Sequence, residues 1–285
     1  MNTSSTALVL GGGGSTGNAW LIGIVAGLFD VGLDVTSADL TIGTSAGSTA
    51  AAQLADATPP ELFAASVAPI PQRPGPPPNR PVNDHLARLQ SVIASSSDVA
   101  DWRRRMCLAA LEADAASDGA WSEQWRSIVA MRLPAARWPE RRVIITAVDA
   151  RTAEPVSFDR HSGVDIVDAV AASCAGGGLP YRIGDGLYID GGYRANAENA
   201  DLAAGFDRVL VLSPLGGRSL TPPEWGTNLP AQVDALRAGG SRVEVVVPLD
   251  GDEHLFGANA MNVALRPAAA QAGYDQGCAL ELKEF

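Results

Sequence analysis

The residues best suited to chemistry lie in short glycine-flanked segments. Gly43-Thr44-Ser45-Ala46-Gly47 has the pattern Gly-x-Ser-x-Gly. It follows an apolar run ending at Ile42 and precedes an alanine-rich stretch, so the reading is strand, turn and helix meeting at Ser45. A sharp turn in that setting pushes a serine hydroxyl outward as a nucleophile, and small flanking residues keep the turn clear of the helix. The same five residues also suit an ordinary turn whose serine caps the following helix. A serine hydroxyl attacks a carbonyl only if a base takes its proton. Asp190 in Tyr188-Ile189-Asp190-Gly191-Gly192 ends a short apolar run and precedes two glycines, a place from which a carboxylate can reach another loop. Asp-Gly is equally a common turn dipeptide.

Gly11-Gly12-Gly13-Gly14-Ser15-Thr16-Gly17 follows a predicted strand and opens a predicted helix. Bare backbone amides at a helix start favour negative charge, so an anion is expected there. A nucleotide phosphate, a dinucleotide pyrophosphate and a transient oxyanion are the three candidates. The phosphate-loop pattern needs Lys and then Ser or Thr after its last glycine, whereas Asn18 and Ala19 follow Gly17. The dinucleotide pattern matches as Gly12-x-Gly14-x-x-Gly17, but its acid should end the second strand, and Asp39 begins that strand.

The chain has three histidines, His85, His161 and His254, none in a recognisable motif. The order Ser45, Asp190, His254 fits the triad of an α/β-hydrolase. Against it, Ser45 arrives after only two predicted strands. Cys107, Cys174 and Cys278 are far apart and lack metal-ligand spacing, so neither a metal nor a cofactor is expected.

The elements that must position these groups alternate. Strands are expected at Thr6–Leu10, Asp39–Gly43, Arg142–Val148, Arg208–Leu212 and Arg242–Val247, with Pro155–Phe158 pairing the third. Helices are expected at Gly17–Val31, Ala46–Ala55, Val164–Ser173, Pro222–Ala238 and Pro267–Leu280. The proline-rich loop at 69–83 and a helical insert at 84–132, with Trp102, Trp121 and Trp125, interrupt the alternation and suggest a cap. The strand pattern resumes afterwards, so 1–285 reads as a single domain. Alternation predicts an α/β fold, a mostly parallel sheet covered by helices on both faces.

With 21 basic against 32 acidic residues the net charge is −11, which argues against nucleic acid as a partner. It also disfavours broad adhesion to anionic membranes and leaves transient local contact with lipid open. No apolar run reaches 18 residues and the polar start, Met1 to Thr6, lacks a basic leader, so a cytoplasmic protein is expected.

Taken together, Gly12-x-Gly14-x-x-Gly17, Gly43-x-Ser45-x-Gly47 and Asp190-Gly191-Gly192, in this order, resemble the patatin-like phospholipase family. The resemblance spans about Thr6 to Arg208 with a variable middle. It implies a three-layer patatin-like sandwich, a Ser45–Asp190 dyad acting through an acyl-enzyme, and an oxyanion hole at Gly12, Gly13 and Gly14. Gly17, Gly43, Gly47, Gly191 and Gly192 would support these turns. The implied substrate is a lipid or other acyl ester, and transfer to an acceptor besides water would share the first half of the reaction. Thr16 stands where the family usually has Lys or Arg, and Gly176-Gly177-Gly178 where it has bulkier residues. An aspartate ordinarily titrates near 3.9, so a working base here must be made stronger by burial. A non-catalytic module binding an acyl or dinucleotide ligand is the reading from another class.

Overall fold

The computed structural model describes residues 4–69 and 82–282. Most of the 69–83 loop thus lies outside the described residues, as do the side chains of 82–86, including His85. The strands are β1 (Thr6–Leu10), β2 (Leu40–Gly43), β3 (Val143–Asp149), β4 (Pro155–Phe158), β5 (Tyr181–Ile183), β6 (Gly186–Asp190), β7 (Arg208–Leu212) and β8 (Arg242–Val246). They form one sheet in the order β5-β6-β3-β2-β1-β7-β8, with β4 also on β3. The run β3-β2-β1-β7-β8 is parallel, and the β3–β4, β3–β6 and β5–β6 pairs are antiparallel.

The helices are α1 (Gly14–Asp30), α2 (Ala46–Leu54), α3 (Pro59–Val67), α4 (Val82–Ala94), α5 (Val99–Ala115), α6 (Trp121–Ala130), α7 (Ile166–Ser173), α8 (Leu229–Ala238) and α9 (Arg266–Ala279). Alternation along β1 explains the layers. Leu8 and Leu10 join a core with α1, α2, α7 and α9 on one face. Ala7 and Val9 join Leu229, Val233 and Leu236 of α8 on the other. Helices therefore cover both faces, as the alternating sequence predicts. A third cluster sets Trp102, Met106 and Cys107 of α5 against Val148 of β3 and Leu187 and Ile189 of β6.

Sequence patterning missed α3, whose Thr58–Glu61 capping box marks its start, and the short strand β5. The expected helix 222–238 begins only at Leu229, because Pro222 and Pro223 hold the preceding residues in a separate tight turn. The insert is three helices rather than one region.

Two features aim the fold at a site. First, β1 lies between β2 and β7, so the chain order reverses there. In open α/β sheets the crevice beyond the strand ends at such a switch point is where ligands bind, and Gly11 follows directly from β1. Second, β3 outruns β2. Ile145 pairs with Gly43, the end of β2, while Ala147, two residues further, pairs with Asp190 at the end of β6.

Helix α9 closes the fold by crossing α1 at backbone contact distance. A Cβ on Gly23 would run into the Ala270 carbonyl and lie 2.8 Å from the Tyr274 nitrogen; one on Gly277 would lie 2.5 Å from the Ile24 carbonyl oxygen. Only glycines permit this approach. Gly23→Val should therefore lower the urea unfolding midpoint, with a loss of about 1–3 kcal/mol from overpacking. An unchanged midpoint would contradict this packing.

Candidate active site

The turn between β2 and α2 holds Ser45 in a conformation that side-chain-bearing residues avoid, at φ 52° and ψ −115°. Such a backbone costs on the order of 1–3 kcal/mol and persists only where its surroundings enforce it. Here the enforcement is dense. Thr44 N donates to Leu10 O (3.1 Å) and Ser45 N to Ser173 Oγ (2.9 Å). The Ser45 carbonyl accepts from Ser48 N (3.0 Å), Ser48 Oγ (2.6 Å) and Cys174 Sγ (3.1 Å). Gly47 passes so close to β1 that a Cβ would collide with the Leu10 carbonyl. Ser45 occupies the N-cap position of α2, yet its side chain makes no capping bond. The ordinary helix-cap reading therefore fails, and the hydroxyl is directed elsewhere.

It meets Asp190. The two-residue overhang of β3 carries β6 past the end of β2 and brings its terminal carboxylate beside the serine turn. Asp190 is only 8% exposed. Its Oδ1 accepts from Gly192 N at 2.8 Å, and a Cβ on Gly176 would stand 3.1 Å from Oδ2. Gly176, a departure from the family pattern, thus lies directly against the carboxylate. Burial pushes the Asp190 carboxyl from 3.8 up to about 6, against the opposing hydrogen bonds of the Gly192 amide and the Ser45 hydroxyl.

A buried polar hub ties the two turns together. Asn199 Nδ2 donates to Thr44 Oγ1 and to Gly191 O, both at 3.0 Å. Thr44 Oγ1 and Thr146 Oγ1 share a hydrogen bond of 2.8 Å. The residue before the serine is thereby linked to the residue after the aspartate through one amide. Sequence reading missed Asn199, Thr44, Thr146 and Ser173. Each is a common polar residue whose significance comes only from being fully buried.

The glycine loop completes the site. Gly12 lies against the serine, since a Cβ there would be 3.5 Å from Ser45 Cβ. Its amide donates to Ala197 O (2.8 Å), which corrects the expectation that all three glycines offer amides. Among the described residues no acceptor meets the amides of Gly13 and Gly14. Gly14 has φ +66°, and Gly13 and Gly17 both rest on Pro214. Thr16 is buried, with its amide on Ala260 O at 3.0 Å. Beneath Gly11, burial raises the pKa of Glu198, whose Oε1 accepts from Ser213 Oγ at 2.6 Å.

Other candidates fall away. Asp39 accepts from Thr6 N at 2.8 Å, at the end of β1 remote from the glycine loop, so it cannot serve a bound dinucleotide. His254 bonds Gly251 O through Nδ1 (2.9 Å), and among the described residues no histidine contributes to the environment of Asp190. The Ser45–Asp190–His254 triad is therefore not assembled. Trp121 and Trp125 stack on each other at 5.9 Å, and Trp125 Nε1 donates to Ala171 O (3.0 Å), which is packing. Among the described residues no group of three His, Cys, Asp or Glu side chains is placed to hold a metal.

A family model described as patatin-like phospholipase matches residues 8–203. No curated protein matches the chain. VipD from Legionella pneumophila is similar in structure over 97% of this chain and 66% of its own, at 14% identity and a TM-score of 0.44. The type III effector protein ExoU is similar over 97% and 54%, at 15% identity and a TM-score of 0.32. The chain thus spans less than two thirds of either protein.

The Asp190 shift has a cost to folding. The carboxyl titrates near 6 in the folded chain and near 3.8 unfolded. Between those values the folded state holds the extra proton, so stability falls as pH rises through the window and stays lower above it. Asp190→Asn removes that penalty. Urea unfolding should find the variant about 2–3 kcal/mol more stable than wild type at pH 8, with the gain shrinking toward pH 4. A variant no more stable at pH 8 would refute the buried-charge account. Asn199→Ala strands buried partners in both turns and should cost about 1–3 kcal/mol in the same measurement.

Proposed function

This chain belongs to the patatin-like phospholipase family, and we propose that it hydrolyses carboxylic esters of lipids with Ser45 as nucleophile and Asp190 as base. The observation that carries the proposal is the meeting of a strained, uncapped serine with a buried carboxylate whose pKa is raised to about 6. A base of that strength is mostly ionised at neutral pH and still accepts a proton better than an ordinary aspartate.

In the first half-reaction Asp190 takes the hydroxyl proton as Ser45 Oγ bonds to the ester carbonyl carbon. Negative charge moves to the carbonyl oxygen, where the Gly13 and Gly14 amides receive it. One such donor is worth about 2.7–4 kcal/mol of barrier. The intermediate collapses, the C–O bond to the alcohol breaks, and the leaving oxygen takes the proton from Asp190. An acyl group remains on Ser45. In the second half Asp190 deprotonates a water that attacks the acyl carbon, the acyl–Oγ bond breaks as Ser45 Oγ takes the proton back from Asp190, and the carboxylic acid departs. Gly12, with its amide already engaged, sets the loop against the serine. Chain 1–285 acts in this reading as one hydrolase domain, with α4–α6 as the wall beside Asp190. Contact with a lipid surface is transient; among the described residues no helix is long and apolar enough to cross a membrane.

Ester turnover, measured with p-nitrophenyl butyrate and with phospholipid in micelles, tests the assignment. Ser45→Ala and Asp190→Asn should each reduce kcat by about a thousandfold or more, and a fluorophosphonate should label wild type but not Ser45→Ala. His254→Ala should retain wild-type rates. The kcat/KM of the wild type should rise with pH through a midpoint near 6, as the carboxyl loses its proton. Full activity in Ser45→Ala would end this reading.

A further inference from the structure

A second buried carboxyl lies behind the glycine loop. Glu198 is only 1% exposed. Burial pushes its pKa up, against the hydrogen bonds of the Ser213 hydroxyl and of its own amide, and among the described residues no cation contributes. An ionisable side chain buried without a counter-charge is costly where an apolar one of similar size would pack. Neither half-reaction proposed for Ser45 uses this carboxyl, so its contacts must supply the reason for it.

Glu198 Oε1 accepts from Ser213 Oγ at 2.6 Å, and Ser213 Oγ in turn accepts from Gly217 N at 2.8 Å. Ser213 follows β7 and donates its own amide to Val246 O of β8 (2.9 Å). The next residue, Pro214, fills the space under the loop: a Cβ on Gly13 would stand 2.6 Å from Pro214 Cβ. In the chain Glu198 follows Ala197, whose carbonyl takes the Gly12 amide at 2.8 Å. The amides of Glu198 and Asn199 both donate to Asn196 Oδ1, at 2.9 and 2.7 Å, and close the turn that presents this carbonyl. Gly11 fits against the side chain itself, since a Cβ there would lie 3.3 Å from Glu198 Cγ. The anchor of Gly12 and the prop under Gly13 are thus joined through one carboxyl. Gly12 is also the glycine that lies against Ser45, its Cβ position 3.5 Å from Ser45 Cβ.

We infer that Glu198 is a positioning residue for the proposed hydrolysis: its carboxyl ties Ser213 to the Ala197 turn and so holds the Gly12–Gly14 loop in place beside Ser45. This rests on the hydrolase reading and adds a residue to its machinery. A hydrogen bond, unlike an apolar contact, has a set length and direction. The bond to Ser213 therefore fixes where Pro214 sits, and with it the amide of Gly13. The carbonyl oxygen of a glutamine accepts the same bond, so the position needs an acceptor rather than a charge.

The test is turnover of p-nitrophenyl butyrate by variants of this bond. Glu198→Ala should lower kcat by about ten- to a hundredfold, the cost of a small misplacement of groups that meet the transition state, with KM unchanged. Glu198→Gln should keep the wild-type kcat. Full activity in Glu198→Ala, or a Glu198→Gln as slow as Glu198→Ala, would overturn the assignment. Ser213→Ala removes the same bond from its other end and should lose kcat in the same way, which keeps the assignment refutable if Glu198→Ala does not fold. Hydrogen exchange of isotope-labelled glycine amides, followed by NMR, reads the loop without any ester. Glu198→Ala, or Ser213→Ala in its place, should speed exchange at Gly12 about tenfold more than at Gly27, which lies buried in α1. Equal acceleration at both glycines would mean a loss of overall stability alone and would overturn the positioning role. A wild type that cleaves no ester would end the hydrolase reading, while the exchange ratio would still decide whether Glu198 holds the loop.

Discussion

The structure depends on a mismatch of strand lengths. β3 extends past the end of β2, and β6 pairs antiparallel with the overhang. Side chains two residues beyond Gly43 and at the end of β6 are thereby brought to one place, although 145 positions separate Ser45 from Asp190 in the chain. The hub at Asn199 then ties both turns to each other through one amide. Local strain at Ser45 is held by the same connections: the main chain of β1, the hydroxyl of Ser173 and the thiol of Cys174 each bond the turn.

Electrostatics in the site follow from burial rather than from added charge. Asp190 has no cation among the causes of its shift, and desolvation alone drives it upward. Stability and proton affinity are opposed at this residue: the interior that raises the carboxyl's pKa also disfavours its charged form. The glycine loop shows the complementary arrangement. Its amides at Gly13 and Gly14 face no acceptor among the described residues, while its neighbours Gly11 and Gly12 are pinned to Leu212 O and Ala197 O. A fixed frame thus leaves two backbone donors without a partner among the described residues.

The family match ends at residue 203, yet residues beyond that point complete the glycine loop. Pro214 underlies Gly13 and Gly17, Ala260 O receives the Thr16 amide, and Arg266 holds Ser15 and Asn18. The Arg266 contact depends on α9 reaching α1, and the four glycines at positions 23, 27, 273 and 277 set that approach. The C-terminal third therefore serves the site from a distance, by positioning the wall on which the glycine loop rests.

By itself the sequence marked most of the elements and the residues on which the proposed site rests. Periodicity placed the parallel strands and helices, because a chain must bury two-residue and 3.6-residue patterns differently. Glycine-rich motifs marked Ser45, the loop at Gly12–Gly14 and Asp190, because tight turns near reacting groups tolerate few other residues. What it left open were matters of contact between distant segments. Whether Asp190 comes to lie beside the serine turn depended on the register of β3 with β6. Whether Ser45 capped a helix depended on where its side chain points. Asn199, Ser173 and Arg266 carry no local pattern, and Gly12 kept its amide bonded only because Ala197 came to lie beside it. Burial and cross-chain hydrogen bonds are properties of the assembled surface, and tertiary structure decided them.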